Sequence, residues 1–427
     1  MNTVDVALAY GRHGLTLQVP AHTAVLRVRE VPGLPDEAEA IRAALRAPIG
    51  SAPLAERVRP GMTVAIAHSD ITRATPNDRL LPVLLAELEA AGVRREDITL
   101  FNALGTHRPQ TEAELRGMLG DFVVDHYRCR QHDAFDETNL TALGTTSRGH
   151  PVRLNSAFLA ADLKISTGFI EPHFFAGFSG GPKGLLPALA GAESVLTNHG
   201  YRMIGHPNAT WGVTAGNPIW EEMREVALRV EPLFLLNVTL NTQRAITGVF
   251  AGDVLAAHAA GCAEVRASAM LAEPAPYDIV VTTNSGYPLD QNLYQCVKGM
   301  SAAARLVRDG GTILMAAACA DGLPDHGRYA ALLAEAGSPE RMLAMLDQPG
   351  FCEPDQWQVQ IQAQIQRRAQ VHVYSDGLSD EQIKQALFTP CRDLQQTLTD
   401  LLTHYGPHAR LAVLPDGPQV IANVIGN

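Results

Sequence analysis

Between residues 63 and 200 the chain repeatedly sets a short β-branched, apolar run before an amphipathic helical run. TVAIAHS precedes DRLLPVLLAELEAAG, ITLFNAL precedes TEAELRGML, and ADLKISTG precedes a glycine-rich loop and GAESVLTNH. Such alternation implies parallel sheet, because parallel neighbours can be joined only by a long crossover, usually a helix that covers the sheet face. LFLLNVTLN and AITGVFAG then read as a hairpin, followed by a helix over DVLAAHAAGCAEVRASAML. The segment AEPAP at 272–276 is the best linker candidate, with two prolines before a fresh strand, YDIVVTTN. From there the alternation restarts: a helix over about 289–307, strand GTILMAAA, helices through 325–368, strand VHVYS, two helices and strand RLAVLP. A chain of 427 residues suits two or three domains at roughly 100–200 residues each. The expected class is α/β, with two Rossmann-like parallel-sheet domains, 1–273 and 274–427, facing an interdomain cleft.

Composition limits the partners. A formal net charge of −11 disfavours a general nucleic-acid or anionic-membrane binder and points to small molecules. The start, MNTVDVALAYGRHGLTLQVP, has the alternation of a hairpin rather than a basic stretch and an apolar core, and apolar runs such as TILMAAACA stop short of the ~20 residues of a membrane span. A cytoplasmic location is expected. Six cysteines (Cys129, Cys262, Cys296, Cys319, Cys352, Cys391) form no C-x-x-C pair, which disfavours a zinc ribbon or a disulfide framework.

In open parallel sheets ligands collect beyond the carboxyl ends of the strands. The unusual polar residues fall there. SDITRATPN follows one strand with Asp70, Thr72 and Arg73 before a helix that Asn77 can cap; GTHRP follows the next with His107. EPHFFAGFSGGPKG follows a third with His173 and Lys183, and His199 lies in TNHG where the next helix should end. In the second half, Gln291, Tyr294, Gln295 and Lys298 recur at i, i+3, i+4, i+7 after Pro288, so they share one helical face: either a solvated face or, toward a cleft, a phenol, an amide and an ammonium for a carboxylate.

The glycine loop fails as a nucleoside-triphosphate loop. That pattern needs glycine before its lysine and a hydroxyl residue after it, whereas Pro182 and Gly184 stand there. The glycines can still make a nest of backbone amides, leaving Lys183 as a covalent attachment point.

With these residues in view, the chain resembles the lactate racemase family, the nickel-pincer nucleotide enzymes, from its N-terminal hairpin to its C-terminal unit. DITR, GTHRP, EPHFFAGFSGGPKG, NHG and YQCVK carry the resemblance, in order and spacing. It implies that Lys183 forms a thioamide with a pyridinium-3,5-bisthiocarboxylic acid mononucleotide and that His199 completes the coordination of its nickel. Soft sulfur and imidazole in a planar arrangement suit nickel(II). It further implies that His107 and His173 are the two acid/base groups on opposite faces of a 2-hydroxy acid, lactate by default, racemised by hydride transfer to and from the cofactor. Arg73 would grip the substrate, with Tyr294, Gln295 and Lys298 closing over it. Asp70 would orient or contact the cofactor, Gly177, Gly180 and Gly181 would hold part of it, and Trp357 matches an aromatic near it. The N-terminal domain is then the cofactor-binding and catalytic one and the C-terminal domain the one that closes, with cofactor biosynthesis enzymes as partners; oligomeric state is not legible. Three other readings remain open on the residues alone. His107, His173 and His199 could hold a hydrolytic zinc, Lys183 could carry pyridoxal phosphate, or the chain could be a non-catalytic binding protein or cofactor carrier.

Overall fold

The computed structural model describes residues 2–324 and 327–424. Residue 1 and residues 425–427, at the ends of the expected domains, and residues 325 and 326, at the start of the expected 325–368 helical stretch, lie outside these. The chain forms two units: Glu30–Asn198 with His206–Ser268, and Met1–Arg29 with His199–Gly205 and Ala269–Asn427. They are called here the Lys183 unit and the Tyr294 unit.

The Lys183 unit is built on six strands in the order Ile246–Gly252, Leu233–Leu240, Leu163–Phe169, Val64–Ser69, Ile98–Ala103, Arg128–Gln131. All pairings are parallel except the hairpin of Leu233–Leu240 with Ile246–Gly252. Strands to one side of Val64–Ser69 follow it directly in the chain; those on the other side come later. The order therefore reverses between Val64–Ser69 and Leu163–Phe169, the place where doubly wound sheets open a crevice at their carboxyl ends. Helices Glu37–Arg46 and Asn77–Ala90 set Ile41, Leu45, Leu80, Leu84 and Leu88 against Val64, Ile66, Ile98 and Leu100, all buried. Leu163–Phe169 is buried at every residue, as a strand covered on both faces must be.

The Tyr294 unit has a six-stranded, all-parallel sheet ordered Thr389–Cys391, Gln370–Tyr374, Val307–Ala316, Tyr277–Thr282, Leu411–Leu414, Ala24–Val25. The N-terminal hairpin, Thr3–Leu8 with Leu15–Pro20, packs Val6, Leu8, Leu17 and Val19 with Ile279, Val281, Leu314 and Val413. This packing, and the edge strand Ala24–Val25, group residues 1–29 with the C-terminal part, which a single cut at 273/274 does not describe. Met270–Glu273 pairs in parallel with Ile421–Val424, so Ala272 and Glu273 of the expected linker are strand residues.

Two local expectations are corrected. The helix expected over 289–307 runs from Leu293 to Ala304: Asn292 caps it, accepting the Gln295 N–H at 3.1 Å, while the Asp290 carboxylate just before it is held by the N–H groups of Gly11 and Ala318. Gln291 therefore precedes the helix instead of sharing its face. Asn77 does not cap the helix it begins; its side-chain amide donates instead to the Ser69 carbonyl at 3.2 Å. No helix among the described residues is long and apolar enough to cross a membrane.

Two histidines of the Lys183 unit are wholly buried. His68 bonds through Nδ1 to the Ser69 carbonyl and His258 through Nε2 to the Ser179 carbonyl. Burial pushes both down to about 4, so both rings are neutral in the folded protein near neutral pH. In the unfolded chain a histidine titrates near ~6.5. Between about pH 6.5 and 4 the unfolded chain therefore binds protons that the folded chain does not, and stability falls as pH is lowered through that window, by roughly 1.4 kcal/mol per pH unit for each ring. Urea midpoints should fall between about pH 7 and about pH 5, and His68→Gln should make the slope shallower. An unchanged slope in that variant would mean that His68 already carries its proton in the fold.

Candidate active site

The reversal point brings two loops together at the carboxyl ends of neighbouring strands. After Val64–Ser69 the chain turns through Asp70–Arg73, the Arg73 N–H bonding the Asp70 carbonyl at 3.2 Å. Asp70 is buried; its Oδ1 accepts the Thr72 hydroxyl at 2.7 Å and its Oδ2 faces His107 Nδ1 at 2.6 Å. Burial alone would raise this carboxyl, but His107, by charge and by hydrogen bond, then Arg73 and Thr72, outweigh it and hold the pKa below the usual carboxylate range. An ionised Asp70 can only accept, so His107 Nδ1 carries a proton. A neutral His107 then presents the lone pair of Nε2, the state of a base. Its side chain is 33% exposed against 5% for Asp70, so the carboxylate is the sheltered partner.

Arg73 also belongs here. Its Nη1 is buried with no hydrogen-bond partner among the described residues. A buried guanidinium nitrogen left so costs stability, and an anionic ligand would satisfy it.

His173 sits on a tight hairpin in which His173 pairs with Gly177. The Ala176 N–H donates to its Nδ1 at 3.3 Å. A ring accepting at Nδ1 carries its proton, when neutral, on Nε2. His107 and His173 are thus held as opposite tautomers. Phe175 at the hairpin tip links His173 to the lysine: its ring lies 4.5 Å from the His173 ring, edge to face, and 5.4 Å from Lys183 Nζ. The Lys183 loop is tied in turn to the His107 loop, since the Gly105 N–H bonds the Ala188 carbonyl at 2.9 Å. The structure therefore gathers Asp70, Arg73, His107, His173 and Lys183 at one end of one sheet.

The loop's glycines are there for close approach. A Cβ at Gly177 would lie 2.2 Å from the Val213 carbonyl oxygen, at Gly180 2.4 Å from Asn237 Oδ1, at Gly181 2.4 Å from the His258 ring and at Gly184 2.3 Å from Ser166 Oγ. Gly177, Gly180 and Gly181 also have positive φ. The Gly181 N–H is engaged by Asn237 Oδ1 at 2.8 Å. Asn237 and His258 do not stand out in the amino-acid sequence: Asn237 shares LFLLNVTLN with Thr239 and Asn241, and His258 alone is a single polar residue in an apolar run, LAAHAAG.

The other expected residues lie in the Tyr294 unit and cluster among themselves. The His199 ring meets the Trp357 ring edge to face at 5.2 Å, and the His199 carbonyl accepts from Gln356 Nε2 at 3.4 Å. Trp357 Nε1 donates to the Tyr294 hydroxyl at 2.9 Å. Lys298 Nζ donates to Gln295 Oε1 at 2.6 Å, and Gln295 is buried, unlike a solvated face. Trp357 thus touches both His199 and Tyr294. Among the described residues no three His, Cys, Asp or Glu side chains gather as a metal site, so the three-histidine zinc arrangement has no such group there.

Residues 10–212 match the lactate racemase N-terminal domain family and residues 272–422 the lactate racemase C-terminal domain family. The chain belongs to the lactate racemase family, a family of isomerases. Lactate racemases of Thermoanaerobacterium thermosaccharolyticum and Lactiplantibacillus plantarum are each 35% identical to it, over 423 and 425 residues, covering 98% of this chain and 99% of the relative in both cases. The structure of the T. thermosaccharolyticum lactate racemase apoprotein matches with a TM-score of 0.89 at 34% identity, covering 98% of this chain and 100% of that one. A Thermotoga maritima protein of 18% identity shares the fold, with a TM-score of 0.72 over 92% of this chain and 100% of that one. The family read from the five motifs is borne out, as is the α/β class with two parallel-sheet domains.

The opposite tautomers can be measured directly. In 15N-histidine spectra of the cofactor-free protein near pH 8, the His107 signal should report protonated Nδ1 and the His173 signal protonated Nε2, each assigned by its loss in the His→Gln variant. Finding one tautomer in both rings would refute the assignment.

Proposed function

We propose that the chain racemises a short 2-hydroxy acid, lactate by default, using a nickel-pincer nucleotide attached through Lys183. The observation that carries this reading is the pair of histidines in opposite tautomers, His107 backed by an ionised carboxylate, at the sheet end that also holds Lys183 and the unsatisfied Arg73 nitrogen. Inverting a carbon centre requires proton traffic on both faces, and imidazoles with an accessible pKa suit both roles.

The donor set fits the cofactor. Lys183 supplies the primary amine that a thioamide needs, on a loop held against the protein, and His199 supplies an imidazole whose ring is packed by Trp357. Gly177, Gly180 and Gly181 are assigned to the loop that carries the cofactor, and His199 to nickel. When bound, the nucleotide supplies a pyridinium carbon as hydride acceptor and donor, chemistry that amino-acid side chains lack.

The chain's own residues then divide the remaining work. Arg73 binds the substrate carboxylate with its guanidinium fork, which fixes the α carbon and hydroxyl relative to the bases. For one enantiomer, His107 Nε2 takes the hydroxyl proton and Asp70 stabilises the imidazolium that results, while keeping the ring from rotating. On the opposite face His173, once protonated to imidazolium, returns a proton to the keto oxygen as the other enantiomer forms, since a neutral imidazole N–H is too weak an acid for that step. In the Tyr294 unit, Tyr294, Gln295 and Lys298 are assigned as substrate-binding groups and Trp357 as the aromatic neighbour of the nickel ligand. The cellular partners on this reading are the enzymes that make the nucleotide.

The test is co-expression with those enzymes, followed by intact mass, nickel content and lactate racemisation. Wild type should carry an adduct and nickel, and Lys183→Ala should carry neither and fall to background activity. His107→Ala and His173→Ala should keep the adduct and lose roughly 10²–10⁴-fold in kcat. An unmodified wild-type chain, from a host in which a T. thermosaccharolyticum lactate racemase control acquires the adduct, would overturn the assignment of Lys183.

A further inference from the structure

The Lys183 loop is fastened by two buried polar side chains outside the loop. Asn237, in the middle of strand Leu233–Leu240, accepts the Gly181 N–H at 2.8 Å, and its own amide donates to the Leu236 carbonyl at 3.0 Å. His258, on helix Val254–Ala269, donates from Nε2 to the Ser179 carbonyl at 2.9 Å, and its ring lies flush against Gly181. Each is 1% exposed. One grips a carbonyl four residues before Lys183, the other an N–H two residues before it. Within the loop the Lys183 N–H bonds back to the Gly180 carbonyl at 3.2 Å, closing a turn of helix over Gly181–Gly184.

We propose that Asn237 and His258 are positioning residues: they hold the glycine-rich loop in the one conformation that presents the Lys183 amine for attachment and keeps the attached group in place. This deepens the proposed role of Lys183 and rests on it. Stability alone gives little reason for these residues. A buried amide or imidazole contributes little net stability over well-packed apolar side chains. Geometry does give a reason. A segment with glycine at 177, 180, 181 and 184 has wide conformational freedom, and close packing alone does not choose among its backbone states. A donor fixed on one carbonyl and an acceptor fixed on one N–H choose among them by direction. Displacing a reacting group by ~1 Å can cost on the order of 100-fold in rate.

The test separates direction from bulk by a pair of amides at one position. In His258→Gln the amide nitrogen stands near where Nε2 stood and can reach the Ser179 carbonyl; in His258→Asn it stands one atom short. Asn237→Leu removes the acceptor at the other point. Two readouts are taken. Hydrogen–deuterium exchange of peptides spanning 177–186 is measured on the cofactor-free protein, with the Val64–Ser69 peptide as internal reference. Adduct fraction and kcat against KM for lactate are measured after co-expression with the cofactor-making enzymes. His258→Asn and Asn237→Leu should exchange the loop amides about tenfold faster or more, leave the reference peptide unchanged, and lose at least about tenfold in adduct fraction or kcat with KM within about twofold. His258→Gln should stay within about threefold of wild type in both readouts. The proposal is overturned if loop exchange is unchanged in the Asn and Leu variants, or if it rises while adduct and kcat hold. It is equally overturned if Gln is as damaging as Asn. Should wild type take up no adduct, the attachment role of Lys183 fails and this proposal's functional half falls with it, whereas the exchange data still decide whether the two residues hold the loop.

Discussion

Strand Leu163–Phe169 is buried at all seven residues, and the Lys183 unit turns on it. It is the strand at which the sheet order reverses, so the loop that leaves it faces the loop that leaves Val64–Ser69. It also carries hydroxyls where a strand covered on both faces is normally apolar. The Thr167 hydroxyl donates to the Ala67 carbonyl at 3.0 Å, and Ser166 Oγ fills the space beside Gly184. The same strand thus sets which loops meet and how closely the lysine loop lies on the sheet. His107 joins from the next strand along, and its Asp70 partner comes from the strand between.

Burial and direction of hydrogen bonding give these residues their chemical character. Asp70 stays ionised under full burial because His107, Arg73 and Thr72 all favour its charged form. Its charge in turn fixes which nitrogen of His107 bears hydrogen. His173 is fixed the other way by a backbone N–H, which needs no charged partner and is set by the hairpin alone. Two residues of one type are thereby given different resting states by their surroundings.

Much of this was legible in the amino-acid sequence, for identifiable reasons. Parallel sheets announce themselves as short apolar runs alternating with helical ones, and catalytic loops fall at strand ends, so Asp70, His107, His173 and Lys183 stood out together. Local competition between hydrogen bonds was harder to see. Asn77 resembles a cap, yet the Ser69 carbonyl claims its amide; Pro288 resembles a helix start, yet Asn292 caps and Asp290 is held elsewhere. Long-range grouping was hardest, since nothing in residues 1–29 states that Val6 and Leu17 pack with Val281 and Val413. The glycine-rich loop was read as an amide nest, while its spacing also answers to the atoms behind it: Val213, Asn237, His258 and Ser166. For His258 the amino-acid sequence does carry a signal, a polar residue alone in LAAHAAG, and for Asn237 a weaker one, but neither says which loop the residue holds.

The assignment of His107 and His173 as the two acid/base groups has a kinetic corollary. On the proposed assignment, a cycle that begins with His107 neutral and His173 as imidazolium ends with His107 as imidazolium and His173 neutral, so the protein that releases product differs from the protein that bound substrate. It is then primed for the reverse substrate. Two free forms of the catalyst circulate, each matched to one hand of the hydroxy acid, and they interconvert by exchanging protons with water or by turning over the mirror-image molecule. Of the two rings, His107 is partly exposed and His173 is buried. A buried ring exchanges protons with water more slowly than an exposed one, so on this assignment His173 is the slower of the two to be reset.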